Sequence, residues 1–500
     1  MEDKFAELED RLAEITDLSQ VSALLGWDQQ TYMPPAGVEG RGNHMATIDR
    51  ILHLKRTSDE LGQLLADLAP LVNELPPDSV KTRLVKVTKR EFEKRTKVPV
   101  EWVEEFARLT TLAEQAWEKA RAEDKFANFQ PYLERIVDMK RSYAGFFAPY
   151  EHVYDPLLDD FEPGTKTMEV KAIFEALRPQ QVALIREILA CPPIDDSFLH
   201  QHFDEQKQWD FGVQVITKFG FPWDRGRLDK SPHFFSSSFG VNDVRITTRL
   251  YPDHMESALF GTMHEAGHGL YDLGIHPAFA RSLLGDASSL AIHESQSRMW
   301  ENLVGRSRPF WKHFYPKLQE TFPAQLGNVS LESFYKAVNK VQPSLIRVEA
   351  DEATYNLHIM LRLGLEISLL EGSLLVSDLP EAWNSGMEEY LGIRPHNDTL
   401  GVLQDIHWSV GLMGYFSTYA LGNLISLQLW ERIRQDIPDL DEQIEAGEFR
   451  PLLEWLHENI HQHGSMFEPQ ELIARVTGSR INPDPYVRYL TEKYREIYGI

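Results

Sequence analysis

The chain of 500 residues carries a formal net charge of −25, is 42% hydrophobic and 11% aromatic, and contains a single cysteine. An acidic surface argues against nucleic acid, whose phosphate backbone needs a basic partner, and one cysteine excludes an intramolecular disulfide. The apolar content is ample for a core, so the sequence reads as a globular protein.

The first residues, Met1-Glu-Asp-Lys-Phe-Ala-Glu-Leu-Glu-Asp10, lack the basic start and apolar centre of a secretory signal, and no apolar run reaches bilayer-spanning length. With Cys191 compatible with a reducing compartment, the expectation is a cytoplasmic protein with no membrane partner. Helical spacing predicts helices over residues 5–25, 41–68, 79–95, 100–122, 132–147 and 167–189. Turns are expected at Gly26-Trp-Asp28 and after Tyr154, with a break at Cys191-Pro192-Pro193. No repeat or low-complexity linker divides the chain, so the helices should form one body.

Residues 234–250 leave that pattern. Val244, Ile246, Thr248 and Leu250 alternate with Asp243, Arg245, Thr247 and Arg249, the period of a half-buried strand. Gly240-Val-Asn242 would turn the chain between two antiparallel strands, and a small sheet there suits pairing with an extended peptide.

Next comes Thr262-Met-His-Glu-Ala-Gly-His-Gly-Leu270. On a helix, His264 and His268 stand one turn apart on the same face, so both imidazoles can grip one metal ion. Two imidazoles suit zinc, and Glu265 between them can accept a proton from a water that the metal activates toward a carbonyl. The pattern reads as metallopeptidase. It is short, however, and it occurs again as His457-Glu-Asn-Ile-His461. Residues 258–271 are apolar or small nearly all round, as in a buried helix. Around the second match Leu453, Leu456 and Ile460 form one face, and His457 and His461 lie on the polar one. Gly261, Gly267 and Gly269 each cost a helix about 1 kcal/mol relative to alanine, which predicts close packing in compensation. The first match is therefore the expected metal site.

A catalytic zinc needs a third protein ligand and an open fourth position. A helical pattern over residues 288–304 offers Glu294, with His293 as an alternative that position alone does not exclude. One long helix is expected over 343–370, stopped at Gly372, with Arg347 and Asp351 one turn apart and able to pair on its surface. Farther on, residues 401–419 carry His407 and Tyr415, which can offer donors to an oxyanion, beside Gly411 and Gly414, which let backbone approach a ligand. A His and a Tyr satisfied inside the core would explain the same stretch without chemistry.

Asp243-Val-Arg-Ile-Thr247, His264-Glu-Ala-Gly-His268, His293-Glu-Ser-Gln296, Ile346-Arg-Val-Glu-Ala-Asp351 and Gly401-Val-Leu-Gln-Asp-Ile-His-Trp408 together resemble the ordered signatures of the carboxypeptidase Taq family of zinc metallocarboxypeptidases. The likeness covers nearly the whole chain and includes Gly26-Trp-Asp28 and Tyr154-Asp-Pro-Leu-Leu158. At His233-Phe234-Phe235 the chain departs from the family's His-Pro-Phe. The resemblance implies a mainly α-helical, saddle-like body. It would be a single domain over residues 1–500, with two lobes about a deep central groove and a small antiparallel sheet beside the metal. It implies a cytoplasmic homodimer that removes residues from peptides with a free C-terminus, with broad specificity. One zinc per chain, replaceable by cobalt or another divalent metal, would be held by His264, His268 and Glu294, with Glu265 as base. Arg245, Arg347, His407 and Tyr415 would contact substrate or transition state, and His233, Asp243, Thr247 and Gln404 belong to the same substrate motifs. The match at His457 becomes incidental. The alternatives are an endo-acting zinc oligopeptidase and a helical scaffold with a vestigial site.

Overall fold

The structure is a computed structural model and describes residues 2–500. The predicted helices are present with adjusted ends: Glu2–Thr31, Val80–Lys97, Val100–Glu123, Gln130–Gly145 and Thr167–Leu189. The first continues through Gly26-Trp-Asp28 instead of turning there. Trp27 is buried, and Arg41 binds both the Leu25 carbonyl and the Asp28 carboxylate, which holds that last stretch in place. The stretch expected as one helix over 41–68 is two, Val38–Arg56 and Asp59–Val72. Ser58 leaves the helical conformation between them, and its hydroxyl accepts the N–H of Leu61 as an N-cap.

A larger correction falls on residues 343–370. Only Tyr355–Glu371 is a continuous helix, ended by Gly372 at φ +81. Upstream, Asp351 accepts the backbone N–H groups of Gln342, Ala353 and Thr354. A side chain that satisfies local N–H groups in this way competes with helix. Arg347 and Asp351 therefore do not pair, and Arg347 binds Asp405 instead.

Three strands form one sheet in the order β1-β3-β2: β1 (Gly226–Lys230), β2 (Ser236–Ser238) and β3 (Val244–Thr248). The predicted hairpin is β2 and β3, antiparallel with Ser238 opposite Val244, and Gly240 makes the turn at φ +110. The first strand is additional and runs parallel to β3, so the sheet is mixed rather than antiparallel.

Buried apolar side chains gather in two clusters. The smaller joins Phe5, Leu8, Leu12, Leu65 and Leu84 of the N-terminal helices to Val241, Ile275 and Phe279. The larger extends from Leu109 to Ile497 and encloses the helix Met255–Gly274, which carries His264 and His268. The glycines of that helix are points of contact, as expected. A Cβ on Gly269 would stand 3.1 Å from Ile246 of β3, and one on Gly267 only 2.6 Å from the Cα of Ser297. Phe234 lies with its ring over Gly261, 2.9 Å from where a Cβ would be.

Candidate active site

The close approach at Gly267 presses Met255–Gly274 against the helix Leu290–Arg298 and so brings Glu294 to the two histidines. Donor atoms of His264, His268 and Glu294 all lie within 4.8 Å of one another. The Nε2 atoms of His264 and His268 are 3.6 and 3.4 Å from Glu294 Oε2. His293, the alternative ligand, is committed elsewhere: its Nε2 meets Asp272 at 3.0 Å and its ring stacks on His268.

The charge states suit a divalent metal. Burial, aided by His293, lowers His268 to about 4, so its imidazole is neutral, and its Nδ1 is buried without a partner. Burial alone would raise Glu294, but the Arg298 guanidinium and His264 outweigh it and hold the carboxyl well below the usual range. Burial opposes protonation of His264, yet Glu294 and Glu301 win and raise it; a metal replaces such a proton on binding. Neutral imidazole and ionised carboxylate are the ligating forms, so this donor set fits zinc or a similar ion.

Around the ligands is a second layer absent from the sequence candidates. Glu301 Oε2 lies 2.9 Å from His264 Nδ1, and Arg298 bridges Glu294 Oε1 at 2.7 Å and Glu301 Oε2 at 3.2 Å. Such partners fix the ring orientation of a ligating histidine. The available signal was spacing, since Glu301 follows Glu294 by about two helical turns. A π-helical segment, Met299–Val304, shifts the register enough to hide it from a regular helical count.

Glu265 is buried, and burial pushes its carboxyl up to about 7 against the pull of His264. It is poised to hold or release a proton near neutral pH.

The loop with His407 and Tyr415 is tied down by a buried carboxylate. Glu366 accepts from the Tyr154 hydroxyl at 2.5 Å, Trp408 Nε1 at 2.7 Å and the Gly414 N–H at 3.0 Å. Gly411 and Gly414 adopt φ +76 and +100, and a Cβ on Gly414 would strike the Leu157 carbonyl. The result sets the Tyr415 ring 5.5 Å from His407. Burial raises the Tyr415 phenol, with Glu294 among the charges that add to the rise, so this hydroxyl stays protonated beside the metal group. Burial lowers His407 to about 4; it is neutral, its Nδ1 is buried without a partner, and its Nε2 is 3.4 Å from the Tyr419 hydroxyl.

The remaining substrate candidates are placed as follows. Arg347 is buried, bound through Nε and Nη2 to Asp405 Oδ1 at 3.0 and 2.9 Å, with Nη1 3.0 Å from the Tyr355 hydroxyl. It reaches the group above through the Tyr419 ring, 5.1 Å away. Gln404 is a brace: its Oε1 accepts the Arg347 N–H and Arg362 Nη2, and its Nε2 donates to three carbonyls, of Leu345, Leu400 and Gly401. Thr247 is also satisfied within the chain, accepting the Phe235 N–H at 2.9 Å and bonding Ser231 Oγ at 2.7 Å. Arg245 forms a two-pronged pair with Asp243 and lies over the Trp27 ring at 4.3 Å. His233 is exposed on the connection between β1 and β2.

The second match behaves differently from its sequence reading. His457 is exposed, but the helix Arg450–Asn459 ends before His461. Ile460, at φ −125 and ψ −65, turns the chain inward, and His461 is fully buried with Nε2 2.9 Å from Gln296 Oε1. Burial, with His457 and His293, lowers it to about 3. The two imidazoles do not share a helix face.

Glu162 supports the site from behind. Its Oε1 accepts the Ala291 N–H at 2.6 Å, at the start of the helix that presents Glu294. Burial raises its carboxyl to about 8 against the hydrogen bonds from Ser289 and Ala291. An acid raised above its unfolded value binds more protons when folded. Its contribution is thus fully present below about 4.5 and is lost as pH rises through about 8. Glu162→Gln should therefore gain stability relative to the native chain as pH goes from about 5 to about 8. Thermal melts across that range check this, and a difference independent of pH would show that Glu162 does not titrate there.

A half-buried pair of histidines and a buried glutamate, with an uncommitted carboxyl on the histidines' helix in a mainly helical body, defines a metal-dependent hydrolase of the helical metallopeptidase class. The chain belongs to the carboxypeptidase Taq (M32) metallopeptidases, whose family profile matches residues 7–494. It is 41% identical over 494 residues to thermostable carboxypeptidase 1 of Thermus thermophilus, spanning 96% of both chains. It is 37% identical to carboxypeptidase 1 of Bacillus subtilis, spanning 98% of both. The crystal structure of the M32 carboxypeptidase from Deinococcus radiodurans R1 superposes over 100% of both chains with a TM-score of 0.97 at 38% identity. The expected family and helical fold are borne out, and the chain is a metallocarboxypeptidase, a peptide hydrolase. Among the described residues no helix is long and apolar enough to cross a membrane.

Proposed function

We propose that this metallocarboxypeptidase uses one zinc ion, held by His264, His268 and Glu294, to release residues singly from the free C-terminus of peptides with broad specificity. The family resemblance adds a cytoplasmic setting, a homodimer and two lobes about a groove. The observation that carries the chemical reading is the convergence of three ligand side chains beside the buried Glu265.

When bound, zinc supplies Lewis acidity, which acidifies water and polarises a carbonyl. Glu265 takes the proton of the attacking water and returns it to the leaving amine, a task suited to a carboxyl near 7. Tyr415, kept protonated by burial, donates to the developing oxyanion. His407, a neutral imidazole whose ring lies 5.5 Å from that of Tyr415, is the second proposed donor. Phe161 and Tyr419 pack edge-on against Tyr415 and fix its direction. Removing the metal with a chelator should stop release of free amino acids from a peptide, and zinc should restore it. Release that continues after the metal is gone would overturn the reading.

Arg347 is the proposed anchor for the substrate's α-carboxylate, because a planar guanidinium matches a carboxylate in two places. Asp405 holds the Nε and Nη2 edge, while Nη1 donates to the Tyr355 hydroxyl at 3.0 Å. A C-terminally amidated peptide should be cut much more slowly than its free-acid twin. Charge-assisted bonds contribute about 1.5–3 kcal/mol, so Arg347→Ala should cost on the order of 10- to 100-fold in kcat/KM on the free acid and narrow that difference. It should also lower stability, since Asp405 keeps only Arg362 as a cationic partner. Unchanged discrimination between the two peptides in the variant would assign the carboxylate to another residue.

A further inference from the structure

Among the described residues outside the catalytic centre, one other group of side chains has the donors and the spacing for a metal. We propose that His200, His254 and Glu256 form a second site, for a divalent transition metal such as zinc, at the surface where the helix of His264 and His268 begins. Their donor atoms all lie within 4.8 Å of one another. The two imidazole rings are 5.8 Å apart and nearly perpendicular, and His254 Nδ1 is 3.6 Å from Glu256 Oε1. Two imidazoles and a carboxylate form the same kind of donor set as the catalytic one, and such a set favours zinc over magnesium or calcium.

The backbone around the three is already fixed. Leu199 and Phe203 are buried on one side and Met255 on the other. The Phe203 N–H bonds the Pro252 carbonyl at 2.5 Å, and Gln208 Nε2 ties the carbonyls of Phe203 and Tyr251 together at 2.9 and 2.8 Å. His200 and His254 therefore approach from two anchored segments, and only exposed side-chain rotamers need to settle when an ion arrives. Glu256 turns Oε1 toward His254, and its other oxygen, Oε2, is buried without a hydrogen-bond partner, so no donor among the described residues claims the buried oxygen of this carboxylate. A glutamate in the first turn of a helix is explained by the helix dipole alone, but the facing pair of histidines is not. Asp196 Oδ2 lies 3.4 Å from His200 Nε2 and is itself paired with Lys340 Nζ at 3.0 Å, which holds that carboxylate beside the ring.

An ion here links the turn Ser197–His200 to the start of the catalytic helix and stabilises the fold by mass action. Because both histidines are exposed, it exchanges more readily than the ion in the buried centre. The experiment uses zinc alone as the probe, on the folded holoenzyme. Equilibrium dialysis with elemental analysis over rising free zinc should give two equivalents per chain, one tight and one weaker. His254→Ala and, separately, His200→Ala should each remove the weaker equivalent while keeping the tight one and the peptidase activity, which also shows that the variants fold. A native chain that stops at one equivalent, or a second equivalent that survives both substitutions, would overturn the proposal.

Discussion

Glu265→Gln is expected to keep its metal and to lose peptide hydrolysis by about 10⁴-fold or more. General-base assistance is worth roughly 10²- to 10⁴-fold, and here the same carboxyl also serves the leaving amine, so the loss falls at or above the upper end. The amide keeps the shape of the side chain, so His264, His268 and Glu294 still converge. It cannot accept a proton. Metal content and single-turnover rates on one peptide check this together, and activity within about tenfold of the native chain would assign the base to another residue.

His268→Ala should abolish stoichiometric metal and activity, while His461→Ala should keep both. Removing one of three protein ligands from a catalytic zinc leaves two, too few for a stable site. His461 is instead a buried packing residue bonded to Gln296, against Gly274, where an added Cβ would stand 2.7 Å from its own Cβ. Its loss opens a cavity and frees a buried acceptor, at a cost of about 1–3 kcal/mol. Elemental analysis and thermal melts of the two variants separate these outcomes. Metal lost with His461→Ala and kept with His268→Ala would transfer the site to the C-terminal match.

The part of the site legible in the sequence is the part written within one helical turn. His264, Glu265 and His268 are fixed by helix period, and the glycines around them announce close packing that the contacts of Gly267 and Gly269 bear out. Glu294 and His293 were inseparable by position, because neighbours in sequence differ only in which way the helix face points. In the fold Asp272 engages His293, while a carboxylate oxygen of Glu294 lies with the donor atoms of His264 and His268. Longer-range facts were less visible. Nothing in Gly226-Arg-Leu-Asp-Lys230 alternates, so the strand exists through its parallel pairing with β3 and not through its own pattern. Arg347 and Asp351 have ideal helical spacing, yet Asp351 spends its oxygens on local N–H groups and Arg347 finds Asp405, 58 residues away. The polar stripe assigned to His457 and His461 assumed a helix that in fact stops at Asn459.

Direction of cutting joins the metal centre to the carboxylate anchor, and it can be read in one measurement. A single unmodified peptide, incubated with the zinc-loaded enzyme and followed over time by mass spectrometry, should shorten from its C-terminal end by one residue at a time, and its amidated twin should lag far behind. Internal fragments appearing at equal rates from the free-acid and amidated forms would contradict the account and make the protein an oligopeptidase.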